Sequence, residues 1–123
     1  MTVIQVENDP GGVLAAVDGL ATAVEKNAQD ERLLVRRLRE LREGRAKGRT
    51  WLDLLTPDDR PGVLGLTSRI IGRLTDASGA LRRALARGLR LEGATIATIA
   101  GLFGVSHQRI SALLRRGDRT PTA

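Results

Sequence analysis

Side chains that could carry out covalent chemistry are scarce in this sequence. It contains one histidine, His107, and neither cysteine nor tyrosine, which excludes disulfides and thiolate sites for metals or catalysis. No segment has the GxxxxGK[ST] form of a phosphate-binding loop. The adjacent carboxylates Asp58 and Asp59 are typical of a helix start, where acids interact favourably with the helix dipole. We therefore expect a protein that is not an enzyme and that has no cofactor or metal.

The chemistry that the sequence does offer is clustered positive charge. The formal net charge is +6, and the basic residues form two blocks. Residues 31–50 and residues 76–123 each contain eight basic and three acidic side chains, whereas residues 1–30 contain five acids and one base. Such clustering is the electrostatic footprint of a protein that binds a polyanion.

The most informative segment is Thr95–Arg115, whose residue types fit two short helices joined by a tight turn. The small side chain of Ala100 suits the point where the helices approach most closely, and Gly104 tolerates the positive φ of the turn. Val105 would pack the turn into the core, and Ser106 is a good N-cap for the second helix. The shared interior of the two helices is expected to comprise Ile96, Ile99, Phe103, Ile110, Leu113 and Leu114.

This segment resembles the helix-turn-helix superfamily of DNA-binding proteins. The residues that carry the resemblance are Ile99-Ala100, Leu102-Phe103-Gly104-Val105-Ser106, Ile110 and Leu113. Their spacing is most similar to the three-helix form of sigma factor region four and of resolvase-type recombinases, with Ser78–Leu89 as the preceding helix. The resemblance covers about a third of the chain. Gly101 departs from the pattern, because such motifs usually carry a longer polar residue there.

The resemblance implies a DNA-binding role for the second helix, which in this superfamily lies in the major groove and reads base edges with its N-terminal residues. By position, the implied base contacts are His107, Gln108, Ser111 and Ala112. The implied phosphate contacts are Thr95, Ser106, Arg109, Arg115 and Arg116. A glutamine amide can bond adenine through two atoms, and an alanine methyl can meet the methyl of thymine.

Other arginines and the single tryptophan have simpler interpretations. Four arginines upstream of the motif are expected on the solvated face of a helix, with phosphate contact as the alternative: Arg82, Arg83, Arg87 and Arg90. The run Arg32–Arg49 is expected to be the outer face of a long helix rather than a second DNA surface. Trp51 is expected to be a core anchor rather than a stacking platform for bases.

The predicted fold class is all-α, with a long N-terminal amphipathic helix, middle helices and the C-terminal helix-turn-helix. Aromatic residues make up only 2% of the chain, and no segment alternates β-branched and aromatic residues with polar ones, so helix-on-helix packing is favoured. No apolar run approaches the ~18 residues that a membrane span needs. The N-terminus lacks the pattern of a secretory signal, so a cytoplasmic protein located at the nucleoid is expected.

The predicted organisation has five parts. They are a flexible tail over 1–12, a long helix over 13–43, a basic linker with a short helix over 44–60, a helical domain over 61–116 with the helix-turn-helix at 95–115, and a tail over 117–123. Gly44 is expected just after the last turn of the long helix. The next helix should start near Pro61 and either run unbroken to about Arg90 or break around 75–79; a break is favoured, because Gly72 and Gly79 weaken the helix.

The long helix carries an apolar seam in alternating steps of four and three residues: Val13, Val17, Leu20, Val24, Leu34, Leu38 and Leu41. The same register places Asn27 and Glu31 on the seam. Two arrangements are open. The seam pairs with a second copy as a coiled coil, where a polar residue fixes the register, or it packs against the chain's own middle segment.

These observations leave three hypotheses for function. The first is a sequence-specific transcription regulator, a homodimer whose recognition helices meet half-sites one turn or a multiple of ~34 Å apart on double-stranded DNA. The second is an architectural nucleoid protein that binds through phosphate contacts with little sequence preference. The third is an interaction protein that engages an RNA polymerase or sigma subunit through the long helix.

Overall fold

A computed structural model describes residues 9–56 and 60–118 of the chain. All regular structure in these residues is helical, which confirms the all-α prediction. The helices are α1 (Val13–Ala46), α2 (Trp51–Leu55), α3 (Val63–Leu91), α4 (Ile96–Phe103) and α5 (His107–Asp118), and a 3-10 turn at Pro10–Gly12 precedes α1. Two compact units result, a terminal unit (Met1–Ala21 with Ala77–Ala123) and a middle unit (Thr22–Asp76).

The start of α1 is held by a capping carboxylate, so the prediction of a flexible tail is wrong for residues 9–12. Asp9 Oδ1 accepts a hydrogen bond from Leu14 N at 2.7 Å, and Oδ2 accepts one from Ala15 N at 3.0 Å. These bonds satisfy two of the amides that the first helical turn leaves without a partner. Gly11 packs against α3, where a Cβ atom would lie 2.8 Å from Gly88 N. Residues 1–8 lie outside the described part of the chain.

Helix α1 ends at Ala46, three residues after the predicted end. Gly44 lies inside the helix, and its missing side chain makes room for Leu54 of α2. The chain turns out of α1 further on, at Gly48, whose amide donates to Arg45 O at 2.9 Å. The expected core anchor Trp51 is also a wrong prediction: its side chain is 49% exposed. The Arg45 guanidinium lies 4.9 Å from the centre of its ring, in a cation–π contact.

Helix α3 runs without interruption from Val63 to Leu91, so the predicted break around 75–79 is wrong. Each glycine in a helix interior costs roughly 1 kcal/mol relative to alanine. Buried side chains hold the helix on either side of the predicted break, at Leu66 before it and at Ala84 and Ala86 after it. The helix starts two residues after Pro61, and the predicted capping segment 57–59 lies outside the described residues.

Within the middle unit, α1 and α3 run antiparallel and are joined by a buried polar cluster. Asn27 is 4% exposed, and its Nδ2 donates to Ile70 O at 3.0 Å. Arg73 Nη1 donates to Asn27 Oδ1 at 2.7 Å and to Asp30 Oδ2 at 2.9 Å. The polar seam residue is therefore satisfied by the chain's own α3, as the second of the two predicted arrangements requires. The predicted homodimer is not tested by this contact.

At the C-terminal end, α5 extends to Asp118. The prediction of a frayed tail is wrong for Gly117 and Asp118, which continue the helix. Residues 119–123 of the predicted tail lie outside the described part of the chain.

Candidate nucleic-acid interface

The turn between α4 and α5 is built by a glycine in the left-handed conformation. Gly104 has φ 69° and ψ 33°, a region that costs a residue with a side chain about 1–2 kcal/mol. Its amide donates to Gly101 O at 3.3 Å, and the amide of Val105 donates to Ala100 O at 3.1 Å. Together these bonds form a Schellman motif, which satisfies the last carbonyls of α4 and reverses the chain direction.

Serine and threonine caps begin both helices of the pair, as their positions in the sequence predict. Thr95 Oγ1 accepts from Thr98 N at 3.1 Å at the start of α4. Ser106 Oγ accepts from Arg109 N at 3.2 Å at the start of α5. In each cap the oxygen acts as acceptor, so the hydroxyl hydrogen can still be donated. The Thr95 hydroxyl is directed at Thr98 Oγ1, 3.0 Å away, while that of Ser106 remains available for a phosphate oxygen.

An apolar core fixes α4 and α5 against α3. Ile99, Ile110 and Ala86 have no exposed surface, and Ala100 is 4% exposed. Partly buried side chains pack around them: Leu89, Ala94, Ile96, Phe103, Val105, Leu113 and Leu114. All six residues that the sequence assigned to the shared interior belong to this core. Because Ile110 is fully buried, the rotation of α5 about its own axis is fixed.

The outward face of α5 follows from the position of Ile110. At 100° per residue, Gln108 and Ala112 lie ~160° from Ile110 on either side, and Arg115 lies ~140° away. Gln108 and Arg115 are exposed and Ala112 is partly exposed. The side opposite the core therefore presents an amide, a methyl group and a guanidinium, all of which can contact base edges in a groove.

The other predicted contact residues flank this face. On one side lie His107, which is exposed, and Ser111, which is partly buried. On the other side lie Arg109 and Arg116, both exposed. The structure thus brings the α5 residues together on one continuous surface, whereas Thr95 lies at the start of α4.

Arg82 of α3 lies beside this surface. It lines a cleft of about 280 Å³ together with Gln108, Arg109, Ala112 and Arg116. Of the side chains that line the cleft, three are arginines and none is acidic. This concentration of positive charge next to Gln108 suits a phosphate backbone, because the charge attracts polyanions over a distance of about 10 Å at moderate salt.

Three of the four α3 arginines differ in what they contact. Arg87 Nη2 donates to Gly11 O at 3.3 Å and Arg90 Nη1 donates to Ala94 O at 3.0 Å, so both guanidinium groups bond the chain's own backbone. Arg82 is the exposed arginine that borders the α5 surface. The sequence analysis treated the four arginines alike, because what separates them is which side of α3 faces α5, and the sequence does not show that.

Two exposed features of α4 have no counterpart in the predicted contact set. Leu102 is 68% exposed, although the resemblance gave its position as part of the motif. Gly101 is also exposed, and a Cβ atom there would meet nothing within 4 Å. Nothing in the packing therefore requires glycine at this position.

Comparison with known proteins adds no relative: no protein-family model, curated protein or solved structure matches this chain. None of the described helices is both long enough and apolar enough to cross a membrane. Within residues 9–56 and 60–118, no group of three or more histidine, aspartate or glutamate side chains is placed to hold a metal ion.

Proposed function

We propose that this protein binds double-stranded DNA in a sequence-specific manner, with α5 in the major groove, and regulates transcription by doing so. The observation that carries the proposal is the outward face of α5. Gln108, Ala112 and Arg115 lie on the side of the helix opposite Ile110, whose complete burial fixes that face. Contacts held by a rigid scaffold discriminate between ligands better than contacts on mobile segments.

The contact roles divide along the surface of α5. Gln108 and Ala112 read bases, and His107 and Ser111 reach bases at the edge of the same face. Arg115 was assigned to phosphate from the sequence, but its helical position next to Gln108 and Ala112 suits guanine equally, since arginine bonds guanine O6 and N7.

The remaining contacts are to phosphate and fix the register of the protein on the duplex. Arg109 and Arg116 supply them from α5, Ser106 from the start of α5, and Arg82 from α3. Thr95, the other predicted phosphate contact, has its hydroxyl directed at Thr98 Oγ1 and must turn away from it to reach a phosphate. No reaction is part of the proposed role, which needs no cofactor and places the protein at the nucleoid.

The test is selection of tight binders from a random duplex library, followed by affinity measurements over a salt series against a scrambled duplex. Gln108→Ala is expected to weaken binding to the selected duplex roughly 5- to 150-fold, as loss of one bidentate base contact does, and to leave the scrambled duplex unaffected. Arg109→Ala should weaken binding to both duplexes and reduce the slope of the salt dependence by about one. Gln29→Ala, an exposed glutamine on α1, is the matched control and should change neither.

The possible outcomes separate the three hypotheses. Equal affinity for selected and scrambled duplexes would refute sequence specificity and favour the architectural role, in which phosphate contacts alone hold the protein. Absence of binding at low salt would refute both DNA-binding roles. It would favour the third hypothesis, an interaction protein that engages a polymerase or sigma subunit through α1.

A further inference from the structure

The middle unit exposes apolar side chains on both of its long helices. On α1 they are Val24, Val35 and Leu38, which are 51%, 44% and 45% exposed. On α3 they are Leu64, Ile71 and Leu74, of which Ile71 is 60% exposed. Side chains of this kind exposed together mark a surface that another molecule covers.

Four of these residues, Val24, Val35, Ile71 and Leu74, lie on the same side of the α1–α3 pair, whereas Leu38 lies only ~20° from Asn27 and Leu64 ~160° from Leu66. On α1 the reference direction is the buried Asn27. Seen from the N-terminus, three residues lie ~60° to ~100° clockwise of it: Val24, Ala28 and Val35. On α3 the reference direction is the buried Leu66. In the same sense, Leu74 lies ~80° and Ile71 ~140° from it. Because the helices are antiparallel, equal rotations in this sense bring both sets to one side, which we call the apolar face.

The apolar face divides the seam that the sequence predicted. Asn27, Leu34 and Leu41 form the row that is buried or partly buried, and Asn27 faces the chain's own α3. Val24 and Leu38 form the other row, which remains exposed, with Val24 on the apolar face and Leu38 at its inner edge. Within the middle unit, one row of the predicted seam is therefore used inside the chain and the other is left for another molecule.

A row of charges follows the outer edge of the apolar face on α1. Glu25, Arg32 and Arg39 are exposed and spaced seven residues apart, so they lie on one side of the helix. In the described part of the chain, none of the three forms an ion pair. The acid stands at the N-terminal end of the row and the bases stand in its centre and C-terminal end.

This charge pattern is complementary to itself only when two copies are antiparallel. Two parallel α1 helices would place Glu25 beside Glu25 and Arg39 beside Arg39 of the partner subunit, and like charges in contact repel. Two antiparallel helices crossing near Arg32 place Glu25 of each subunit beside Arg39 of the partner subunit. Arg32 then lies near the two-fold axis beside Arg32 of the partner subunit, and this one like-charge contact is offset by the neighbouring Glu31 of each subunit and by the two Glu25–Arg39 pairs.

We propose that the apolar face is covered by a second copy of this chain, with the two α1 helices antiparallel and related by a two-fold axis near Arg32. Val24 then packs near Leu38 of the partner subunit, and Ala28 packs near Val35 of the partner subunit. The same patch serves both subunits, as a two-fold interface requires. The dimer is independent of DNA contact by α5, so either can fail without the other.

The test is a charge exchange, measured by sedimentation of the purified full chain over a micromolar concentration series. Wild type should be a dimer. Glu25→Arg and Arg39→Glu should each weaken the dimer roughly tenfold or more, because both symmetric ion pairs become repulsive. An equimolar mixture of the two variants should form a heterodimer of near wild-type affinity, since each arginine then faces a glutamate. The double variant Glu25→Arg/Arg39→Glu should regain the homodimer for the same reason.

Lys26→Glu is the matched control, because Lys26 is exposed next to Glu25 but points away from the apolar face by helical spacing. It should leave the dimer intact, and circular dichroism should show every variant folded. A monomeric wild type would overturn the proposal. Single reversals without effect, or a mixture that stays as weak as its components, would overturn the antiparallel pairing.

Discussion

The terminal and middle units differ in what they bury and what they expose. Among the described residues of the terminal unit, every buried side chain is apolar, with Ile99 and Ile110 at its centre. The middle unit buries Ala23, Leu66 and the polar Asn27, and leaves valine, leucine and isoleucine side chains about half exposed. Both units carry basic side chains and some exposed apolar ones, among them Leu102 of the terminal unit, but only the middle unit places a hydrogen-bonded polar residue in its interior.

The two proposals rest on this difference. A closed apolar core holds α5 in a fixed rotation, so its polar face can be matched to a polar ligand such as DNA. An incomplete core leaves free energy to be gained by covering apolar surface, at roughly 25 cal/mol for each Å² removed from water. The stability of the middle unit should therefore depend on protein concentration, as it does wherever a partner binds only the folded state.

The largest effect is expected at the centre of the closed core. Ile110→Ala should lower the free energy of unfolding by about 2–5 kcal/mol, because it removes fully buried methyl groups and leaves a cavity. It should also abolish the preference for the selected duplex, since α5 loses its anchor. Urea unfolding followed by circular dichroism, together with DNA affinity, measures both.

The control for this prediction is Leu102→Ala, which truncates an apolar side chain that is 68% exposed on α4. It should change stability by less than about 0.5 kcal/mol, as most surface substitutions do. If Ile110→Ala were no more damaging than Leu102→Ala, the closed core would not be what fixes α5, and the contrast between the units would fail.

A smaller effect is expected at the polar centre of the middle unit. Asn27→Ala removes the bonds to Ile70 O and Arg73 Nη1 and should lower the free energy of unfolding by about 1–3 kcal/mol, the cost of leaving buried polar groups without partners. Trp51, the only tryptophan, lies in the middle unit and reports its unfolding by fluorescence. Gln29→Ala on the exposed side of α1 should be near neutral. Equal effects of the two substitutions would show that the cluster does not hold α1 to α3.

The sequence predicted the α4–α5 pair well because its determinants are local. Thr95, Gly104 and Ser106 each act on the backbone within three residues, so their types alone identify the caps and the turn. The interior positions around Ile110 followed from helical spacing. The outward position of Arg115 likewise follows from its spacing of five residues from Ile110, whereas the proximity of Arg82 depends on packing against α3, which no local signal encodes.

Predictions failed where tertiary packing outweighed local preference. Gly72 and Gly79 suggested a break in α3, but the helix continues through both and is anchored by buried side chains before and after them, at Leu66 and Ala84. Gly44 suggested the end of α1, yet it is a point of close approach for Leu54. Trp51 was expected inside because large aromatic residues usually are, but its partner is the Arg45 guanidinium at the surface. In each case the residue type occurs in two common structural roles, such as glycine at a helix end or at a close contact, and the sequence analysis chose the wrong role.

The smallest effect concerns Gly101 in the terminal unit, and it has the opposite sign. Gly101→Ala should raise the free energy of unfolding by about 0.5–1 kcal/mol, because alanine is the better helix former and its Cβ atom would meet nothing within 4 Å. Gly104→Ala, three residues along, should lower it by about 1–2 kcal/mol, because φ there is 69°. Thermal and urea unfolding measure the stability of both variants. Gly101→Ala tests a position with room for a Cβ atom, and Gly104→Ala tests a position where a side chain strains the backbone. If Gly101→Ala destabilised the protein instead, the exposed side of α4 would be in contact with something, and the closed terminal unit would resemble the middle unit in needing a partner.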